Sequence, residues 1–277
     1  MNLVNKFLKN FRENKFSRFL NYLITFISLY YVIQKFGEIE IEILKKVNLT
    51  MIISGIFLVC CSLLLQSFAW SNLFFSKNSK YLSKVWINSN IGKYFPFKIG
   101  IILNRYSKIE EASLINISKN YITEQILIIS ITTMFAVPLF FFEKLIFISL
   151  VFISFLGIPL ILLKLKADYF KPSCFYYLSS IMNVIFLSLL TREIFGYVDF
   201  KVVSVYIFSM IIGMFIFTAP AGIGIREAVF IYFLESTLIS SDILNFILIS
   251  RVIYFLADVL ILIFGNYYFK NEKKSNN

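Results

Sequence analysis

Histidine is missing from the 277-residue sequence, which removes imidazole general bases and most zinc chemistry. Cysteine is scarce. Cys60, Cys61 and Cys174 lie in or beside apolar runs at no ligand spacing, so neither a metal site nor a disulfide framework is expected. Charged residues make up only 16%, and no stretch shows the alternation of a membrane β-barrel. No nucleotide-binding loop is present. No cofactor is therefore expected, and uphill transport would draw on an ion gradient, a partner or product consumption.

Apolar residues fill the space left by charge. The chain is 58% hydrophobic with 33 phenylalanines, and its mean hydropathy is +0.78. Long apolar runs of this kind predict an all-α, polytopic integral membrane bundle forming one domain over residues 1–277. Net charge is +11, and the cations sit between the apolar runs. They are topology signals and contacts with anionic lipid, so nucleic acid is not an expected partner.

The basic segment Met1–Arg18 precedes a first span, Phe19–Phe36, with no small-residue cleavage pattern after it. The loop Gly37–Asn48 is charge-balanced, and Leu49–Phe75 makes a second span. A strongly basic region follows, with Lys93, Lys98 and Arg105 in its second half. Further spans are expected at Tyr121–Phe142, Leu145–Leu163, Ser173–Leu190 and Ile243–Phe269. The positive-inside rule puts both termini in the cytoplasm. Trp70, Trp86, Tyr267 and Tyr268 read as interfacial belt residues.

Two segments break this pattern. In Thr218–Ala228, Pro220 ends a helix, Gly222 and Gly224 permit a tight turn, and Arg226-Glu227 follows at once. A helix restarting near Ile225 would turn its free amide protons and positive dipole end into the gap. Broken backbone survives at membrane depth only against protein or a water-filled cavity. The segment around Pro96 is likewise too polar for a span and too apolar for a loop. These stretches predict two re-entrant helical hairpins, at about 82–105 and 202–238, beside about six full spans. Both carry Pro-x-x-Ile-Gly-Ile, beginning at Pro96 and Pro220, which points to an inverted repeat with a binding site near the midplane.

The run Lys93-Tyr94-Phe95-Pro96-Phe97-Lys98, then Arg105 and Glu124, resembles the lysylphosphatidylglycerol synthase transmembrane-region family. So does Gly222-Ile223-Gly224-Ile225-Arg226-Glu227-Ala228 with Arg251-Val252-Ile253-Tyr254 on the last helix. The resemblance implies a polytopic domain of the plasma (inner) membrane that moves lipids between leaflets. It also implies possible company with envelope biosynthesis enzymes, since relatives occur beside glycolipid and polysaccharide machinery. Phe97 stands where the family has glycine, and Pro220-Ala221-Gly222 replaces a more glycine-rich run. No aminoacyl-transferase domain follows, so lysyl-lipid synthesis is not expected.

Candidate substrate-binding residues are Lys93, Pro96, Lys98, Arg105, Glu124, Pro220, Gly222, Gly224, Arg226, Glu227, Arg251 and Asp258. Arg251 lies about 12 Å into its helix, and Asp258, seven residues on, returns to the same face. Charges inside a membrane are costly and point to function. Arg105, Arg226 and Arg251 are expected to hold the phosphate of an anionic phospholipid or lipid-linked sugar. Glu124 is a candidate partner for Arg105 or Arg251. Two alternatives stay open: a membrane-embedded glycosyltransferase using Glu38, Glu40 or Glu42, and a non-transporting assembly subunit.

Overall fold

A computed structural model describes residues 47–74, 79–94, 99–109, 112–141, 169–215, 225–235, 238 and 240–269. The expected spans Phe19–Phe36 and Leu145–Leu163, the Glu38–Glu42 segment, and Pro96, Lys98, Pro220, Gly222 and Gly224 lie outside them.

Among the described residues all regular structure is helical. The order is α1 (Leu49–Asn72), α2 (Ser79–Asn90), a 3-10 turn (Ile91–Tyr94), α3 (Ile99–Lys108), α4 (Leu114–Phe141), α5 (Phe170–Phe195), α6 (Phe200–Phe215), α7 (Ile225–Leu234) and α8 (Ser240–Tyr268). Helix α7 follows directly on the last of residues 216–224, which lie outside the described residues. Local chemistry sets other starts. The Asn48 side chain accepts from Thr50 N at 3.1 Å ahead of α1, and Asp199 accepts from Lys201 N at 2.8 Å ahead of α6.

Among the described residues three helices are long and apolar enough to cross a membrane: Leu49–Asn72, Phe170–Phe195 and Asp242–Tyr268. Even the 24 residues of α1 reach about 36 Å at the helical rise, more than the hydrocarbon thickness. The exterior is apolar. Leu49, Ile53 and Phe57 point outward along α1, as do Leu256, Leu260 and Ile263 along α8. The interior is studded with polar groups, including Ser62, Ser89, Ser179, Arg105, Glu124 and Asp258. This inversion of the usual soluble pattern is that of a membrane helical protein.

Helices α1 and α5 pack along their lengths, α4 packs on α6, α6 on α7, and α8 lies against α1, α2 and α5. The contact of α6, α7 and α8 is aromatic: the ring of Tyr206 stands edge-on to Phe230 and Phe246 at 5.5 and 5.4 Å. Trp70 and Trp86 depart from their expected interfacial placement. Both are buried, because each faces a buried charge described below.

Gly92 lets α2 and α3 close on each other. A β-carbon there would lie 2.5 Å from Gly100 C and Ile101 N, both rigid backbone atoms. We predict that Gly92→Ala costs about 1–3 kcal/mol, the usual range for an overpacked site. Thermal unfolding in detergent reads it, and an unchanged midpoint would count against this contact.

Candidate functional site: a polar cavity between the helices

A cavity of about 200 Å³ opens between the helices and takes lining from α1 through α7. Its walls are unlike the rest of the chain. Lys93, Arg105 and Arg226 contribute cations, Glu124 a carboxylate, and Gln66, Asn90, Gln125, Ser179 and Asn183 neutral polar groups.

The first charge cluster joins α3 to α4. Arg105 Nη1 lies 2.5 Å from Glu124 Oε2, with both side chains 2% exposed. Trp86 Nε1 donates to Glu124 Oε1 at 2.6 Å, and Arg105 Nε donates to Ser89 Oγ at 3.0 Å. The guanidinium also lies over the Trp70 ring, 4.4 Å from its centroid. Each hydrogen bond or stacking contact offsets part of the cost of burying the pair.

The second cluster joins the 3-10 turn to α8. Asp258 Oδ2 lies 2.6 Å from Lys93 Nζ and accepts from Tyr94 Oη at 2.6 Å. Its Oδ1 accepts from Asn90 Nδ2 at 2.9 Å. Arg251, on the same face of α8 as Asp258 by spacing, pairs with Glu227 of α7. Glu124 thus belongs to Arg105, and Arg251 and Asp258 hold different partners.

Arg226 completes the set. Its Nε is buried and has no hydrogen-bond partner among the described residues. Its stem crosses α6 at Gly213, where a β-carbon would lie 2.7 Å from Arg226 Cγ and 2.8 Å from Nε. Glycine on α6 is what allows the guanidinium to reach the cavity. Among the described residues around the site, three carboxylates each meet a cation, and Arg226 has no ion-pair partner.

Sequence reasoning missed the opposite wall. Ser62 and Ser179 share a hydrogen bond of 2.8 Å between α1 and α5. Gln66 Nε2 donates to Ser179 Oγ at 2.9 Å, Asn183 Nδ2 to Ser62 Oγ at 2.8 Å, and Tyr254 Oη to Asn183 Oδ1 at 3.2 Å. The available signal was polar spacing: Ser62 with Gln66 and Ser179 with Asn183 are four residues apart, on one face of each helix.

The basic stretch before Glu124 is partly folded inward. Lys84 Nζ donates to Phe269 O at 2.7 Å. At the end of α3, Lys108 is pushed down to about 8 by burial first and by Lys84 second.

Compared with protein-family models, with curated proteins and with solved structures, the chain matches none.

Proposed function

We propose that this chain is a flippase-like protein of the plasma membrane that binds an anionic lipid headgroup and carries it between leaflets. The observation that supports this reading is Arg226: a half-buried guanidinium whose buried Nε has no partner among the described residues, beside a polar cavity where Glu124, Asp258 and Glu227 each already meet a cation. A cation left unpaired in a membrane protein is expensive unless an anion joins it. A phosphate diester supplies one negative charge and acceptor oxygens suited to a guanidinium. The lipid tails would stay in the bilayer while the headgroup occupies the cavity.

The finer architecture belongs to the same proposal. Six full spans and two opposed re-entrant hairpins, related as an inverted repeat, would give alternating access to the two faces with both termini cytoplasmic. The resemblance to the lysylphosphatidylglycerol synthase transmembrane family is consistent with this use of the cavity. Membrane lipids are the proposed partners, with envelope biosynthesis enzymes as users of the product.

The test is headgroup translocation by the full chain in liposomes, using labelled phosphatidylglycerol and a lipid-linked sugar. Protein-dependent movement of at least one is expected. Folded protein that neither moves nor binds any anionic lipid would overturn the proposal.

A further inference from the structure

The cavity holds more polar capacity than its own bonds consume. Tyr176 lines it from α5, is 1% exposed, and has a buried hydroxyl with no hydrogen-bond partner among the described residues. Gln66, on α1, donates from its amide nitrogen to Ser62 and Ser179, while its Oε1 accepts from none of the described residues. Gln125, next to Glu124 on α4, also lines the cavity and makes no side-chain hydrogen bond among them. A buried phenol without a partner carries a penalty that water or a ligand must remove. Together these groups offer a donor, an acceptor and an amide, all neutral, in the cavity that Arg226 lines.

Building on the proposed function, we infer that the headgroup taken here is a phosphate esterified to an amine-free polyol, such as glycerol or a sugar. A hydroxyl both donates and accepts, which matches the mixed set left by Tyr176, Gln66 and Gln125. An ammonium needs a carboxylate or a cluster of acceptors. Glu124, Asp258 and Glu227 are already held by Arg105, Lys93 and Arg251. An added ammonium would also meet the charge of Arg226. Aminoacylated lipids are therefore excluded by charge, and phosphatidic acid, lacking the polyol, leaves the neutral groups unused. Discrimination of this kind is strong when a site's buried polar groups would otherwise stay unpaired.

The experiment compares translocation of phosphatidylglycerol, phosphatidic acid and lysylphosphatidylglycerol by the full chain in one liposome preparation. Phosphatidylglycerol is expected to move at least tenfold faster than either of the others. Tyr176→Phe and Gln66→Leu should each bring the phosphatidylglycerol-to-phosphatidic acid ratio towards one. The thermal midpoint of Tyr176→Phe should be no lower than that of the parent, since the lost hydroxyl bonds nothing in the protein. Equal rates for phosphatidylglycerol and phosphatidic acid, preference for the lysyl lipid, or an unchanged ratio in Tyr176→Phe would overturn the inference and leave lipid translocation standing. No movement or binding of any lipid, together with no binding of glycerol 3-phosphate, overturns the proposed function and this inference with it. A parallel binding arm with glycerol 3-phosphate and inorganic phosphate separates the sources. Binding of glycerol 3-phosphate alone, without any lipid, would keep the polyol recognition and assign it to a soluble ligand.

Discussion

Arg226→Ala is expected to reduce protein-dependent movement of an anionic headgroup at least tenfold while the protein stays folded. A hydrogen bond to a charged group contributes roughly 1.5–3 kcal/mol, and each 1.4 kcal/mol is about a factor of ten. Loss of the arginine also removes a half-buried charge whose Nε has no partner among the described residues, so the fold should not lose stability from the change. That combination separates it from Arg251→Ala, which leaves Glu227 without its ion-pair partner and weakens the contact of α7 with α8. Arg226→Lys keeps the charge but not the planar fork, and should recover only part of the rate. Gly213→Val reaches the same group from α6, because even a β-carbon there collides with the arginine stem. Translocation by Arg226→Ala at the parental rate would remove Arg226 from the binding site, and parallel loss of translocation and thermal stability would make its role structural.

How far the site could be read in advance follows from the physics of each residue. Charges at membrane depth are so costly that Arg105, Glu124, Arg226, Glu227, Arg251 and Asp258 stand out in an apolar chain without any structure. Who pairs with whom does not stand out. Arg251 and Asp258 share a helix face by spacing, yet their partners come from α7 and from the 3-10 turn. Only tertiary packing sets those distances. The two tryptophans were misread for a related reason: an amphipathic indole suits a membrane interface and a buried carboxylate equally well. Helix placement was more legible, since apolar run length maps onto Leu49–Asn72, Phe170–Phe195 and Ser240–Tyr268 within a few residues. The wall formed by Ser62, Gln66, Ser179 and Asn183 escaped notice because serine is common between close-packed membrane helices and draws attention only once its partners are seen.

Glu124→Gln is expected to cost about 3–5 kcal/mol of stability, the range for breaking a buried ion pair by removing one partner. Two groups lose an ionised acceptor at once. Arg105 is left with an uncompensated charge at 2% exposure, Trp86 bonds a weaker acceptor, and the α3–α4 contact loses its only ion pair among the described residues. Arg105→Leu should cost a similar amount by leaving the carboxylate alone. Arg105→Leu/Glu124→Leu should recover much of the loss, because a well-packed apolar pair replaces a buried ionic one at little cost. The chain supplies its own probe. Its two tryptophans, Trp70 and Trp86, lie respectively against the guanidinium and on the carboxylate. Unfolding followed by intrinsic fluorescence therefore reports on the environment of the pair itself. Single substitutions costing under about 1 kcal/mol would mean that water reaches the pair, contrary to its burial. If the cycle closes as expected, Arg105 is committed to Glu124 and is not available to a phosphate. The headgroup's charge then falls to Arg226.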